Sequence, residues 1–346
     1  MLKLGYRLDP KLTALSAEID WLKEQAVQDL PNWSWHRLDR VFSGIRRSLL
    51  AQTLEGVPNW RYGSDYVRHV AGHTFRSIQP YGDICGKFYL DLGCGAQNPF
   101  GTSCVMYLNG ARETLAVDQA EIDPSRSAEA LFDLLEACAL FPDRWHWSGL
   151  PRDEYLRRIG SFNALALRGG DLPEGLRGVP VRYAKADICM ALPVEPASVD
   201  VIASRDALEH FLDFPSALRA MTTALRRGGL ACHHIDLADH RAYRFLDPED
   251  YSADYTKDVL HIRPEFHEWS FLAEDEQYRD GLCNRLRASE LRSAFCGACY
   301  EVLQEVPVRK ALPPNFRERL APAYASLSDE DLATTRVTFV LRKAER

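Results

Sequence analysis

No stretch of this chain is apolar for long enough to cross a membrane, and Met1-Leu2-Lys3 opens no secretory apolar core. A membrane partner is therefore not expected. Basic residues are in short supply: 42 Lys and Arg against 49 Asp and Glu leave a net charge of −7. A nucleic-acid binder usually carries the opposite balance, so nucleic acid is not the expected partner either. Paired cysteines are missing as well. The nine cysteines stand singly apart from Cys296-Gly-Ala-Cys299. An odd number with no second CxxC points to reduced thiols in the cytoplasm, and to a structural role for Cys296 and Cys299. No internal repeat or low-complexity segment is present. What remains, 46% hydrophobic and 26% charged, describes a soluble globular chain able to bury a core as one elaborated domain or two small ones.

One more absence falls at a decisive place. In Phe88–Pro99, reading FYLDLGCGAQNP, an apolar run leads to Asp91 and then to Gly93-Cys94-Gly95. That is how a buried parallel strand ends and turns tightly into a helix, with glycines where a ligand must approach the backbone. A dinucleotide site wants a third glycine three residues after the second, and position 98 is Asn. The nicotinamide reading is disfavoured on that ground.

From Lys87 the chain alternates strand and helix. Candidate strands are Phe88–Leu92, Thr114–Asp118, Val181–Ala184, Val199–Ser204, Leu230–Ile235, Tyr300–Val306 and Arg336–Arg342, with helical patterns between the first five. Such alternation implies right-handed crossovers and a parallel sheet covered on both faces. Residues 1–84 carry helical spacing at Leu12–Leu30, Arg37–Leu54 and Tyr62–Ile78 and no convincing strand, which predicts a helical N-terminal cap. His69-x-x-x-His73 in that cap has metal spacing but lacks the Glu of a zinc protease, so packing or solvation is its expected role. Residues 85–346 would form the α/β domain, with insertions at 124–179 and 236–290. Long connections near the carboxyl ends of parallel strands are where such sheets bind ligands.

The strand ends carry acids. Asp118 closes the second strand about twenty residues past the second glycine, where a carboxylate can accept both ribose hydroxyls of either a dinucleotide or adenosylmethionine. Asp187 closes the third strand, placed to accept an adenine amino group with Ile188 against the ring. Asp91 offers an acceptor for an ammonium beside the glycine turn. Singly each reads as a turn residue; three at successive strand ends after GxG do not.

Together Leu90-Asp-Leu-Gly-Cys-Gly95, Ala116-Val-Asp118, Ala186-Asp187, Ser198-Val-Asp-Val-Ile202, Ala207-Leu-Glu-His-Phe211 and Leu225-Arg-Arg-Gly-Gly229 resemble the motifs of class I S-adenosylmethionine-dependent methyltransferases. The resemblance implies a Rossmann-like, seven-stranded, mostly parallel sheet with an antiparallel last strand. It implies S-adenosyl-L-methionine as cofactor, held by Asp91, Gly93, Cys94, Gly95, Asp118, Gln119, Asp187, Ile188, Ser204 and Arg205. The stretch from Asp118 to Asp187 is longer than that family's crossover and makes the acceptor pocket this chain's own.

Two ionisable clusters follow. If a helix begins at Asp206, then Asp206, Glu209 and His210 share a face. That spacing resembles the E-x-x-E-H metal set of small-RNA 2′-O-methyltransferases and ubiquinone-pathway O-methyltransferases, with His233, His234 or Asp236 completing it. The resemblance implies Mg²⁺ or another divalent cation, a His-rich set leaning to Zn²⁺ or Mn²⁺. Asp206-x-x-Glu209 also spells a capping box, and a metal-free site with His234, His233 or His210 as general base stands equally open. The run His233-His-Ile-Asp236-Leu-Ala-Asp-His240 and the polar Asn284-Arg-Leu-Arg287 are similar to patterns in polysaccharide and natural-product methyltransferases. Trp145, Trp147, Tyr243, Tyr251 and Trp269 are either sugar-stacking surfaces or core anchors. The expectation is O-methylation of a small polar acceptor such as a sugar or natural-product hydroxyl. N-methylation of an amine or amino sugar is the near alternative, and a non-catalytic cofactor-binding module the alternative of another class.

Overall fold

Side chains alternate across each central strand, and both faces are apolar. Phe88, Leu90 and Leu92 of β1 (Phe88–Leu92) enter one hydrophobic layer, whereas Tyr89 enters the other. Such two-sided burial is what a parallel strand beneath helices on both faces requires. The same two-sided burial continues in β2 (Glu113–Asp118), gives way to more exposure in the edge strand β3 (Val181–Lys185), and returns in β4 (Val199–Arg205) and β5 (Leu225–Asp236). β6 (Tyr300–Arg309) and β7 (Thr334–Lys343) complete a seven-stranded sheet in the order β3-β2-β1-β4-β5-β7-β6. β1 to β5 are parallel, and β7 runs antiparallel to both β5 and β6. β5 starts at Leu225 rather than Leu230 because Leu225 already pairs with Val199.

The computed structural model describes residues 64–96, 98–240, 269–273 and 283–345. The helices expected over 12–30 and 37–54, together with Tyr243 and Tyr251, lie outside the described residues. Among the described residues no helix is long and apolar enough to cross a membrane.

Helix α1 (Ser64–Ile78) carries the buried stripe Val67, Val70, Ala71, Thr74, Phe75 and Ile78, at the 3–4 residue spacing of one helical face. This face joins the layer formed by Tyr89, by α2 (Gly101–Leu108) and by the 124–179 insertion. α1 thus packs with the sheet domain although it precedes residue 85. The insertion replaces a single crossover by five helices: α3 (Pro124–Leu140), α4 (Pro142–Trp145), α5 (Arg152–Ile159), α6 (Ala164–Arg168) and α7 (Leu172–Gly175). Asp123 caps α3 by accepting the Ser125 and Arg126 N–H groups, and Pro124 fits its first turn. On the opposite face lie α8 (Phe214–Ala224) and α9 (Ala288–Gly297), with Phe214, Leu218, Met221, Leu291 and Phe295 against the sheet. A short α10 (Asp329–Ala333) leads into β7.

Trp145, Trp147 and Trp269 are core anchors, not sugar platforms. Trp145 is buried and stacks on Trp147 with ring centroids 6.4 Å apart, and Trp147 tilts against Phe75. Trp269 is buried among Phe271, Leu272, Phe316 and Leu332 and donates its indole N–H to the Leu332 carbonyl at 2.8 Å. Cys296 and Cys299 are exposed free thiols at the end of α9.

Candidate functional site

The carboxyl ends of β1, β2, β3, β4 and β5 gather the groups singled out above. After β1 the backbone turns through Gly93 and Gly95, both at positive φ (67° and 74°). A Cβ on Gly93 would stand 2.4 Å from the Ala207 Cβ, so this glycine lets the β1 turn touch the chain leaving β4. A Cβ on Gly95 would meet nothing within 4 Å. That open direction is a cradle.

Asp118, at the end of β2, accepts the Gly95 N–H at 2.8 Å and the Ala120 N–H at 3.0 Å, one on each carboxylate oxygen. Each oxygen keeps a lone pair for a ligand hydroxyl. Asp91 is buried, and desolvation, followed by the charge of Asp118, raises its pKa to about 7. Such a carboxyl gains most from a cation placed against it. Burial likewise pushes the Cys94 thiol well above its ordinary range, so it stays neutral. Gln119 and Asp187 are exposed at the strand ends, and Asp187 accepts the Cys189 N–H at 2.9 Å. Ile188 is buried in the layer beneath α8.

On β5, neighbouring histidines face opposite ways because strand side chains alternate. His233 is 1% exposed, its ring lies 8° from parallel with Phe295, and its Nδ1 pairs with the Ser204 hydroxyl at 2.8 Å. Burial lowers its pKa to about 3. His233 is therefore a core histidine rather than a base, and the Ser204 hydroxyl is committed to it rather than to a cofactor. His234 points to the other face. Its Nδ1 lies 3.1 Å from the Asp206 Oδ1, and its ring meets His73 of α1 edge-on at 5.4 Å. Asp206 also donates its backbone N–H to the His234 carbonyl at 2.9 Å, with φ at +48°. Burial raises the Asp206 pKa, but the His234 hydrogen bond and the Arg205 charge outweigh it and hold the carboxyl below its usual value. Arg205 sits 3.6 Å from Asp206. Burial, then His234 and Arg205, lowers the His73 pKa to about 4.

The helix expected from Asp206 does not form. The left-handed backbone at Asp206 leads into a single 3₁₀ turn, Leu208–His210. Asp206 turns to His234, Glu209 turns inward and His210 turns outward. Glu209 is 2% exposed with neither carboxyl oxygen hydrogen-bonded, and desolvation, then the charge of Asp206, pushes its pKa well up. Asp236 is spent on its own loop, accepting the Ala238 N–H at 2.9 Å and facing Arg336 at 3.4 Å. Asp206, Glu209, His210 and His234 do not converge as one ligand set. Among the described residues the group whose ligand atoms do meet is His210, His240 and Cys283.

The 284–287 stretch clamps rather than lines the site. Asn284 donates its backbone N–H to the Glu209 carbonyl (2.7 Å) and its amide to the Leu208 and Phe211 carbonyls (2.7 and 3.1 Å). Arg287 is fully buried and donates to the carbonyls of Leu237, Asp331, Leu332 and Thr334. His73, expected to pack or be solvated rather than to bind metal, packs against His234; His69, His73 and Arg76 share one flank of α1, beside its apolar stripe.

The methyltransferase domain family matches residues 66–305. No curated protein matches. Among solved structures, an S-adenosylmethionine dependent methyltransferase from Mesorhizobium loti is 17% identical, covers 78% of this chain and 95% of its own, and has a TM-score of 0.38. The YcgJ protein from Bacillus subtilis is 15% identical, with coverage of 80% and 100% and a TM-score of 0.39. Haemonchus contortus phosphoethanolamine N-methyltransferase 2, solved with S-adenosyl-L-methionine, is 13% identical, with coverage of 79% and 52% and a TM-score of 0.40. With the family matched over more than half its length, this chain belongs to the methyltransferase domain family and is an S-adenosylmethionine-dependent methyltransferase.

Proposed function

We propose that this enzyme methylates a hydroxyl of a small polar acceptor, with His234 as general base and Asp206 as the group that orients it. The observation that carries this reading is the Asp206–His234 pair at 3.1 Å, one residue from Ala207, which touches the glycine turn. A carboxylate only accepts, so the His234 Nδ1 carries the hydrogen and its Nε2 is left as the acceptor.

The residues around that turn fit the cofactor. The open direction at Gly95 admits a ligand backbone, the spare Asp118 lone pairs suit two ribose hydroxyls, and the Asp91 carboxyl suits an ammonium. Asp187 would take the adenine amino group. When bound, the cofactor supplies an electrophilic methyl carbon. His234 accepts the acceptor's O–H proton at Nε2 as the oxygen attacks, and Asp206 stabilises the imidazolium that results. Neutral His73 packs against the His234 ring without adding a competing charge.

The test is turnover of adenosylmethionine to adenosylhomocysteine with matched hydroxyl and amine acceptors, with wild type and His234→Ala compared. Hydroxyl-dependent turnover that collapses in the variant while adenosylhomocysteine still binds supports the reading. Turnover only with amines, or full activity without the imidazole, overturns it.

A further inference from the structure

Beyond methyl transfer, we propose that His210, His240 and Cys283 form a Zn²⁺ site at the edge of the catalytic face. These residues come from three separate stretches: the turn after β4, the loop after β5 and the segment leading into α9. One ligand atom from each lies within 4.8 Å of the others. The two imidazole rings meet with centroids 4.9 Å apart at 62°. Zinc bonds of about 2.0–2.1 Å to nitrogen and about 2.3 Å to sulfur separate tetrahedral donors by roughly 3.5 Å. Closing the trio onto an ion therefore asks for side-chain movements on the order of 1 Å, within rotamer adjustment.

The backbone that carries these ligands is held independently of any ion. Cys283 adjoins Asn284, whose three hydrogen bonds reach the carbonyls of Leu208, Glu209 and Phe211 on either side of His210. The loop bearing His240 is tied by the Leu237 N–H to the Thr335 carbonyl at 2.8 Å and by Arg287 to the Leu237 carbonyl at 2.8 Å. It is tied again by Asp236 on the Ala238 N–H. Both arms are set before a ligand arrives, which lowers the ordering cost of binding one. The donor chemistry narrows the ion. Two imidazoles and a thiolate form a borderline-soft set that suits Zn²⁺ and not Mg²⁺ or Ca²⁺, which take oxygen. Asp236, Asp206 and Asp239 act on His240 with charge opposite to that of a cation, against the burial and the His210 ring that disfavour positive charge there. Three protein ligands leave a fourth position for water or a substrate oxygen, and His210 among them is exposed.

The site is tested by metal content, independently of methyl transfer. Untagged full-length protein, dialysed against limiting Zn²⁺ and then buffer, is expected to retain one zinc per chain by mass spectrometry. Co²⁺ in its place should give a thiolate-to-metal absorption in the near ultraviolet. Cys283→Ser should abolish that absorption, and His240→Gln should reduce retained zinc to background. The paired control C296S/C299S, which removes the exposed thiols at the end of α9, should leave both signals intact. Circular dichroism and adenosylhomocysteine affinity confirm that each variant is folded. Background zinc in the wild type, or an unchanged cobalt–thiolate signal in Cys283→Ser, overturns the site and leaves the methyltransferase reading untouched.

Discussion

The imidazole of His234 is fixed from two sides, by the Asp206 carboxylate at 3.1 Å and by the edge of His73 at 5.4 Å. Both contacts follow from position. Asp206 is the first residue past β4, and His234 is the β5 residue paired with Arg205 beside it. As an oriented base, His234 should matter to the chemical step and little to cofactor binding. His234→Ala is expected to lower kcat by about 10²–10⁴-fold. Its affinity for adenosylhomocysteine should stay within a few-fold of wild type by calorimetry. Asp206→Asn should lower kcat while leaving adenosylhomocysteine affinity within a few-fold of wild type, because the imidazolium loses its oriented counter-charge. An unchanged kcat would remove Asp206 from its orienting role.

Asp118 has a different signature. Its carboxylate already bridges the Gly95 and Ala120 N–H groups, and the ribose hydroxyls would take its remaining lone pairs. Asp118→Ala should weaken adenosylhomocysteine binding by about 100-fold or more, as expected for losing two charge-assisted hydrogen bonds. Equilibrium titration gives the answer directly, and unchanged affinity removes Asp118 from the ribose site.

The two glycines of the same turn should separate stability from binding. Gly93→Ala drives a Cβ to 2.4 Å from the Ala207 Cβ at φ 67°, so it should destabilise the fold by about 1–3 kcal/mol. Gly95→Ala, at φ 74° with open space ahead, should cost roughly 1 kcal/mol of strain yet fill the cradle. Urea midpoints against cofactor affinities distinguish them: Gly93→Ala mainly lowers the midpoint, and Gly95→Ala mainly loses affinity.

Much of this architecture is legible in the sequence because it rests on short-range pattern. The strand limits of β1 follow from Phe88-Tyr-Leu, and the succession of strand and helix follows from alternating periodicities. The chemistry of the β4 turn was less legible. The D-x-x-E-H spacing argued for a helical face, but Asp206 takes a left-handed backbone that sends it to His234 and leaves Glu209 buried. Strand parity separates His233 from His234, yet it does not say which face bears the chemistry until Phe295 and His73 are in place. Cys283 is brought to the His210 turn by the Asn284 clamp, a tertiary contact with no local signature.

Asp91 ties cofactor binding to pH. Its pKa is raised to about 7 without ligand, and an ammonium beside it favours the carboxylate. Binding must then expel a proton whenever Asp91 is protonated. Affinity should fall up to about tenfold per unit as pH drops through 7, and fall again at high pH as the ligand's own ammonium gives up its proton. Calorimetry in buffers of different ionisation enthalpy should detect that proton release. In Asp91→Asn the affinity should be weak and flat across the range. A wild-type affinity independent of pH between 5.5 and 8 would remove Asp91 from the ammonium site.

Ser204 and His233 should report on stability alone. Their 2.8 Å hydrogen bond is buried against Phe295, so Ser204→Ala leaves a ring nitrogen without a partner and should cost about 1–3 kcal/mol. The sign of the pH effect follows from His233. In the folded protein its pKa is lowered to about 3, whereas in the unfolded chain it titrates near the ordinary value. Above about 6.5 both states are neutral and no penalty applies. As pH falls toward 3 only the unfolded chain takes the proton, and stability is lost. His233→Phe removes that loss, so its stability relative to wild type should improve steadily on acidification below 6.5. Urea unfolding between pH 4 and 8 measures the slope, and adenosylhomocysteine titration of Ser204→Ala supplies the contrast. If Ser204→Ala lost cofactor affinity at unchanged stability, its hydroxyl would belong to the binding site and not to the core.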